Sequence, residues 1–297
     1  MPKPAIVCFG EVLWDLLPSG KIAGGAPMNV AYHANQFGMQ SKMISSIGDD
    51  ELGSELKRFL ENKGVSTEFI QTDKAFPTGV VNVMLDAGGS PSYEIVSPVA
   101  WDNIQLDDAV MASVKTADAL VFGSLACRTE QNRQALFEYM DVAKLRVFDV
   151  NLRAPFYARP LIGSLLARAD IVKMNDEELA LIAGWLGATG AVRAQMEYIR
   201  DEYGLSLFIM TRGKDGAVCL DGGGFYEHPG FPVTVKDTIG SGDSFLAAFL
   251  SKHLTGAPPS DCLVFAGAVG ALVATRAGGT PEISPEEVQA FIQSKSV

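Results

Sequence analysis

A glycine-rich segment in the C-terminal part of the chain combines residue types that could bind and transfer a phosphate group. Residues 237–245 read DTIGSGDSF, and the apolar residues of 245–250 follow with helical period. A glycine-rich turn that leads into a helix directs backbone N–H groups at one point, where the helix dipole adds positive potential. Gly240, Ser241 and Gly242 therefore predict a site for a phosphate or for a phosphoryl group in transfer.

Asp243 follows this turn directly and would lie in the first turn of the predicted helix. The positive end of a helix favours an ionised carboxylate. Such a carboxylate could accept the proton of an attacking hydroxyl group, which typically accelerates a reaction ~10²–10⁴-fold. A purely structural explanation is also open, in which the glycines form a tight turn and Asp243 only caps the helix.

A second glycine-containing segment, residues 24–31 (GGAPMNVA), precedes a predicted helix near the N-terminus. Gly24 and Gly25 let the backbone approach a ligand closely. The amide of Asn29 offers both donors and an acceptor, which a ligand rich in hydroxyl groups requires. Asp15, a little earlier in the chain, adds a carboxylate that could hold hydroxyl groups. A plain loop–helix junction with a solvated Asp15 is the alternative.

Polar residues also follow three of the predicted strands. Because ligands of parallel sheets bind outside the carboxyl ends of the strands, these residues are candidates for a binding site. An arginine there suits phosphate, since its planar fork binds two oxygens. Purely structural explanations of the three segments are also open. They are an ion pair of Asp149 with Arg153, a helix capping box of Asn175 and Glu178, and a hairpin turn at residues 211–216. The candidates are Asn151 and Arg153 after strand 146–150, Asn175 and Glu178 after strand 171–174, and Thr211, Gly213 and Gly216 after strand 206–211.

The elements that must position these residues indicate an α/β fold. Short, nearly continuous apolar runs alternate with amphipathic stretches of helical period. This alternation is typical of a mostly parallel sheet with helices on both faces. The predicted strands are 5–9, 42–46, 119–123, 146–150, 171–174 and 206–211, and the predicted helices include 51–63, 130–142 and 195–203.

Two segments interrupt the alternation. Residues 14–22 follow the first strand without an immediate helix, and residues 79–96 read as two strands around a turn at 87–90. The segments could pair into a small sheet that acts as a lid, or they could form unrelated surface hairpins. We predict a large domain of residues 1–13, 28–76 and 104–297, and a small β lid of residues 14–27 and 77–103.

Composition argues against several classes of function. The net charge of −11 over 297 residues disfavours a nucleic-acid-binding surface. The three histidines are not spaced as metal ligands, so we expect no zinc site. The four cysteines are scattered singly, which predicts a reduced, cytoplasmic protein. No apolar run approaches the ~20 residues of a membrane helix.

Taken together, these segments resemble the motifs of the ribokinase-like (PfkB) family of carbohydrate kinases. Residues 237–243 are similar to the family's DTxGxGD element, and residues 24–29 to the GGAPxN form of its other characteristic motif. The family's D-x-N-x-R, N-x-x-E and T-x-G-x-x-G strings match 149–153, 175–178 and 211–216, in the family's order. Val150 departs from the proline that the family more often has at this position.

The resemblance implies a ribokinase-like fold and a kinase that transfers the γ-phosphoryl group of ATP, with Mg²⁺, to a sugar. Asp243 would be the catalytic base, Gly240, Ser241 and Gly242 the anion hole, and Arg153 would lie near the transferred group. The implied sugar-binding residues are Asp15, Gly24, Gly25, Asn29, Arg153 and Asp243. The implied nucleotide-binding residues are Asn151, Asn175, Thr211, Gly213, Gly216, Gly240, Gly242, Ala266 and Gly267. Glu178 would organise Mg²⁺ through water, and Asp237 with loop 276–280 would form the K⁺ site that some relatives have.

The resemblance also narrows the substrate. Ala26 and Pro27 in the GGAPxN motif, and residues 100–103 (AWDN), are similar to the fructokinase branch, which implies fructose and a primary hydroxyl. Kinases of other keto-sugars or sugar acids, such as 2-keto-3-deoxygluconate, and ribokinases stay open, as does a non-catalytic regulator. The expected partners are a small sugar and ATP rather than nucleic acid or a membrane, and the chain would be a monomer or a homodimer.

Overall fold

The computed structural model describes residues 3–18, 20–85 and 91–295, which form two β-sheets and the helices around the larger one. In these ranges the strands are β1 (Ala5–Phe9), β2 (Leu13–Leu17), β3 (Gly20–Gly24), β4 (Gln40–Gly48), β5 (Ile70–Asp73), β6 (Val80–Leu85), β7 (Pro91–Ile95), β8 (Ala119–Gly123), β9 (Arg146–Asp149), β10 (Ile171–Asn175), β11 (Leu207–Thr211), β12 (Ala217–Asp221) and β13 (Phe225–His228). The helices are α1 (Ala26–Gln36), α2 (Glu51–Asn62), α3 (Asp108–Thr116), α4 (Glu130–Val142), α5 (Arg159–Leu166), α6 (Asp176–Leu186), α7 (Val192–Tyr203), α8 (Ser241–His253), α9 (Pro259–Ala274) and α10 (Pro285–Lys295).

The larger sheet runs in the order β13-β12-β11-β10-β9-β8-β1-β4-β5. Its strands from β11 to β5 are parallel, and β12 and β13 add an antiparallel edge. Since side chains alternate along a strand, β1 sends Ile6 and Cys8 into one core and Val7 and Phe9 into the other. Helices α1, α2, α8, α9 and α10 bury the first core, and α3 to α7 bury the second. The predicted sheet with helices on both faces is confirmed.

The predicted strands correspond to β1, β4, β8, β9, β10 and β11, and the predicted helices to α2, α4 and α7. Periodicity located the elements better than their ends, since β4 and α7 are longer than predicted. None of the helices in the described ranges has the length and apolar character needed to cross a bilayer.

The smaller sheet has the order β3-β2-β6-β7. Its two hairpin segments join through the parallel pair β2–β6, in which Trp14 lies opposite Val80 and Asp15 opposite Val81. The two interruptions of the α/β pattern therefore form one sheet and not separate hairpins, as the lid interpretation requires. The predicted turn at 87–90 lies outside the described residues. The domain boundaries drawn from the sequence stay a prediction.

One carboxylate ties the smaller sheet to the larger unit. Oδ1 of Asp50 accepts hydrogen bonds from the N–H of Gly53, which caps α2, and from Oγ1 of Thr78 (2.7 and 2.6 Å). Oδ2 accepts the N–H of Thr78, two residues before β6 (2.8 Å). Farther along α2, the indole Nε1 of Trp14 donates to the carbonyl of Leu52 (3.0 Å). The start of α2 thus fixes both strands at the centre of the small sheet.

Replacing Asp50 by alanine is expected to lower the free energy of unfolding by about 3 kcal/mol, because it removes a helix cap and two bonds to Thr78. Asp107 caps α3 through the N–H groups of Ala109 and Val110. Asp107→Ala is therefore the matched control, with an expected loss of about 1 kcal/mol. Urea denaturation measures both losses, and equal values would show that the Thr78 contact does not contribute.

Candidate active site

The glycine-rich turn leads into α8 as predicted, but its two glycines serve different purposes. Gly240 precedes the helix with a φ of 74°, a left-handed conformation that suits glycine. It also packs on another loop, because a Cβ at position 240 would lie 2.6 Å from Cα of Gly279. Gly242 lies inside the first turn of α8 and is not left-handed. Gly242 is therefore not required by an unusual backbone angle.

Asp243 lies half-buried in the first turn of α8. Its Oδ2 accepts a hydrogen bond of 2.8 Å from Nδ2 of Asn29. Desolvation raises the pKa of Asp243, while Lys173, the bond from Asn29 and Arg153 act in the opposite direction. The predicted preference of the helix end for the ionised form is thus outweighed by loss of hydration. The result is a carboxylate that is more basic than an ordinary aspartate, which suits a proton acceptor.

Asn29 is held from several sides. It lies in α1, whose N-cap residue Gly25 has a φ of 120°. A Cβ at Gly279 would lie 2.8 Å from Nδ2 of Asn29, so this loop packs directly on the amide. Burial lowers the pKa of His33 to about 4. The neutral ring therefore donates from Nε2 to the carbonyl oxygen of Gly279 (2.9 Å). The N-terminal and C-terminal motifs, 214 residues apart at Asn29 and Asp243, meet at this point.

The small sheet brings a second carboxylate to the same region. Asp15 lies in β2, and a Cβ at Gly24 on the neighbouring strand would stand 2.7 Å from its Oδ2. Desolvation raises the pKa of Asp15 to about 6, and Arg153 opposes this shift. Arg153 acts electrostatically on both Asp15 and Asp243 and opposes the rise in the pKa of each. Gly25 has no space for a side chain because it packs on the backbone of Glu11.

The loop after β9 carries a strained residue and a cation. Asn151 has a φ of 39°, the only positive value outside glycine in the described part of the chain. Such conformations concentrate at functional sites. Arg153 is exposed, and its Nη1 donates to the carbonyl of Leu152 (3.0 Å). The alternative of an Asp149–Arg153 ion pair is not what forms, because Asp149 pairs with Lys173 instead.

Glu178 forms the capping box that its spacing from Asn175 predicts. The N–H of Glu178 donates to Oδ1 of Asn175, and the N–H of Asn175 donates to Oε2 of Glu178 (both 2.8 Å). Its Oε1 accepts the N–H of Leu152 (2.8 Å), so Glu178 also fixes the loop after β9. Among the residues that the structure describes, no cluster of three or more His, Cys, Asp or Glu side chains is placed to hold a metal ion. A magnesium role for Glu178, through water, stays a prediction.

Several residues predicted to contact the nucleotide lie at or after the end of β11 or in α9. Thr211 ends β11, and Gly213 and Gly216 have φ values of 53° and 83° in the hairpin that leads to β12. In α9, Ala266 is fully buried, whereas Gly267 is half-buried near the rings of His228 and Phe231. In this conformation Gly267, not Ala266, has surface for a ligand. The other nucleotide assignments stay predictions.

Asp237 joins the two loops that were assigned to a monovalent cation. Its Oδ2 accepts the N–H of Gly278 (2.9 Å), and its Oδ1 accepts the N–H of Ile239 (3.0 Å). The arrangement brings the predicted loops together and provides oxygen atoms, but the bonds within the protein already occupy both carboxylate oxygens. The K⁺ assignment stays a prediction.

Two buried charged residues near Asp243 escaped the sequence analysis. Glu11 follows β1, is 3% exposed, and has a pKa raised to about 7 by desolvation. Lys173 lies in β10 and is 7% exposed. A charged residue within or shortly after a strongly apolar strand could have revealed both. Such a strand is expected to be buried, and a charge buried with it needs a partner.

Replacing Gly279 by alanine tests the close approach to Asn29. The new Cβ would lie 2.8 Å from Nδ2 and 3.0 Å from Oδ1 of Asn29, so we expect the free energy of unfolding to fall by about 2 kcal/mol. Gly184 in α6 has open space around it and no left-handed φ. The control Gly184→Ala should be neutral or stabilise by up to about 1 kcal/mol. Urea denaturation of both variants decides, and two similar values would contradict the packing described.

Known proteins resemble this chain along its whole length. The model of the pfkB family of carbohydrate kinases matches residues 19–286. Fructokinase-2 of Solanum lycopersicum is 31% identical over 94% of this chain and 92% of its own length. Probable fructokinase-4 of Arabidopsis thaliana is 30% identical over 98% of this chain and 97% of its own. The crystal structure of a fructokinase with bound ATP from Xylella fastidiosa superposes with a TM-score of 0.88 over 100% of both chains, at 27% identity. The protein therefore belongs to the pfkB family of carbohydrate kinases.

Proposed function

We propose that the protein is a fructokinase that transfers the γ-phosphoryl group of ATP to a primary hydroxyl group of fructose, with Asp243 as the base. The observation that carries the proposal is the hydrogen bond between Asn29 and Asp243. This bond supports the proposal because it joins the segment predicted to bind the sugar to the first turn of α8, which follows the turn predicted to bind phosphate. A proton acceptor between donor and acceptor sites is what phosphoryl transfer to an alcohol requires.

The proposed reaction begins with the attack of the sugar hydroxyl oxygen on the γ-phosphorus atom. The hydroxyl proton passes to the carboxylate of Asp243, the bond from the γ-phosphorus to its bridging oxygen breaks, and ADP leaves. Charge on the transferred group is spread over its non-bridging oxygens. The N–H groups of Gly240, Ser241 and Gly242, at the positive end of α8, are suited to stabilise this charge.

Sugar hydroxyl groups would be held from two sides. Asn29 and Asp243 lie in α1 and α8, which pack on the large sheet, while Asp15 and Gly24 lie in strands of the small sheet. Ile22 of β3 reaches toward the C-terminal loop, because a Cβ at Gly278 would lie 3.7 Å from its Cγ2. A small sheet in this position covers the site as a lid and would exclude water, which otherwise competes as the phosphoryl acceptor.

ATP as the donor is supported by the Xylella fastidiosa fructokinase structure, which contains ATP. The residues that would bind it lie at or after the carboxyl ends of β9, β10 and β11 or in α9, and they are Asn151, Asn175, Thr211, Gly213, Gly216 and Gly267. Mg²⁺ prefers few direct carboxylate ligands and keeps several waters. Glu178, with both oxygens bonded to N–H groups, fits the role of a water-mediated partner. Mg²⁺ would then neutralise the phosphates.

A sugar acid such as 2-keto-3-deoxygluconate is the second candidate substrate. Arg153 is exposed, and in the described structure its guanidinium donates only to a backbone carbonyl, so it could bind a carboxylate. A panel of fructose, other keto-sugars, ribose and keto-sugar acids, assayed for ADP release, separates these substrates. Turnover with none of them would favour a non-catalytic regulator. A monomeric or homodimeric assembly and a cytoplasmic location stay predictions.

Asp243→Asn is expected to fold normally, to bind ATP and to lose turnover by about 10²–10⁴-fold, because an amide cannot accept the hydroxyl proton. ADP release under saturating substrates measures the loss. Asp108 also lies in the first turn of a helix, is exposed, and belongs to none of the motifs, so Asp108→Asn is the control and should keep full activity. Activity of Asp243→Asn within about tenfold of the wild type would contradict its role as base.

The raised pKa of Asp15 predicts a pH-dependent affinity for the sugar. As the pH falls through about 6, Asp15 becomes protonated and loses the charge that accepts bonds from hydroxyl groups, so the KM for fructose should rise. Asp15→Asn should have a high KM for fructose on both sides of this pH, with the KM for ATP little changed. The KM for each substrate, measured at about pH 8 and about pH 5, tests this. A wild-type sugar dependence in the variant would remove Asp15 from the site.

A further inference from the structure

Lys173 is a buried cation at the head of α8. Its Nζ lies 3.0 Å from each carboxylate oxygen of Asp149, its register partner on β9. The two side chains are 8% and 5% exposed. A Cβ at Gly242 would lie 3.0 Å from Nζ and 3.8 Å from Cε of Lys173. The ammonium group therefore occupies the place that a side chain at position 242 would need.

The stability of the fold does not explain why a cation lies beside the first turn of α8. The N-terminus of a helix carries a positive partial charge and disfavours another positive charge nearby. A buried ion pair seldom stabilises a fold more than a well-packed apolar pair would, because both charges lose their hydration. An anion bound at the turn would make the cation favourable there, because the ammonium group and the N–H groups of α8 would both attract the anion.

Charged groups face Asp243 from every element around it. Lys173 on β10 and Arg153 after β9 favour its ionised form, as does the bond from Asn29 on α1. Asp149 on β9 and Glu11 after β1 interact with it as like charges. Burial opposes the charge on Lys173, but Asp149, Asp243 and Glu178 on α6 outweigh burial and raise the pKa of Lys173. Lys173 is thus charged at neutral pH.

We propose that Lys173, held by Asp149, is a positioning residue of the phosphoryl-transfer site. Its ammonium group supports the first turn of α8 beside Gly242 and adds positive charge beneath the turn that binds the transferred group. The role of Lys173 in phosphoryl transfer rests on the proposed function, whereas its contact with Gly242 does not depend on that function. It also explains the second glycine of the GxGD segment, which leaves space for a cation.

A cycle of thermal unfolding tests the contact without any substrate. Gly242→Ala should lower the Tm by about 4 °C, because Asp149 holds Nζ in the path of the new methyl group. Lys173→Met keeps the atom at Cε, 3.8 Å away, and removes Nζ. In the Lys173→Met background the same alanine should therefore lower the Tm by less than half as much. Equal shifts in both backgrounds would overturn the contact.

The pH dependence of kcat, measured at saturating fructose and ATP so that the KM change caused by Asp15 does not contribute, tests the electrostatic part. Lys173→Met should lower kcat about a hundredfold and move the acid limb, which reports Asp243, up by about one pH unit. Asp149→Asn removes a like charge, so its acid limb should move down. An ion pair that serves only folding would move both limbs in the same direction or not at all, and that result would overturn the proposal.

The double variant D149N/K173M covers the case in which a single variant fails to fold. It removes both buried charges together, so it should fold, keep its acid limb near that of the wild type and retain the low kcat of Lys173→Met. Wild-type kcat in the double variant would overturn the proposal. A wild-type enzyme that phosphorylates no sugar would refute the proposed function, whereas the thermal cycle would still decide whether Lys173 requires Gly242.

Discussion

The hydrogen bond between the amide of Asn29 and the carboxylate of Asp243 joins the first turns of two helices, α1 and α8, at the carboxyl edge of the sheet. The remaining features of the site depend on this contact. Gly279 packs on the side-chain amide of Asn29 and on the backbone of Gly240, so neither glycine has space for a side chain of its own. Nε2 of His33 donates a hydrogen bond to the carbonyl oxygen of Gly279 and fixes this loop. The bond therefore positions the base and the phosphate-binding turn together.

Negative charge near this bond exceeds positive charge. The four carboxyl groups of Asp243, Asp149, Glu178 and Glu11 are opposed by only two cations, Lys173 and Arg153, and desolvation raises the pKa of each of the four. Such a site would repel a polyanion unless its cations and N–H groups lie nearer to the ligand than its carboxylates. Lys173 beside Gly242 and the exposed Arg153 satisfy this condition. Because the carboxylates outnumber the cations, the site favours a polyanion that binds together with a metal cation, as ATP does with Mg²⁺.

Much of this architecture follows from the sequence, because parallel strands that are buried on both faces have a distinctive apolar pattern. The convergence of the polar segments also follows, since all of them were placed at strand ends or helix starts. The parallel pairing of β2 with β6 could only be offered as an alternative, because α1, β4, α2 and β5 all lie between the two segments in the chain. Periodicity within a segment contains no information about such a partner.

The Lys173–Asp149 pair could not be predicted for a related reason. The two residues are 24 positions apart and meet only because β9 and β10 are neighbours in the sheet. The local pattern instead favoured Arg153 as the partner of Asp149, at a spacing that a loop often allows. The reason for glycine at position 242 could not be predicted either, because its φ is not left-handed and the surrounding segment does not show which side chain lies beside it. Its explanation lies in a side chain from another strand.

The most direct measurement of the central claim is a crystal structure with fructose, Mg²⁺ and a non-hydrolysable analogue of ATP. We expect the terminal phosphate on the N–H groups of residues 240–243, and a primary hydroxyl oxygen of the sugar about 3 Å from the Asp243 carboxylate. A triphosphate bound away from the start of α8, or a sugar with all hydroxyl groups beyond hydrogen-bonding distance of Asp243, would contradict the account.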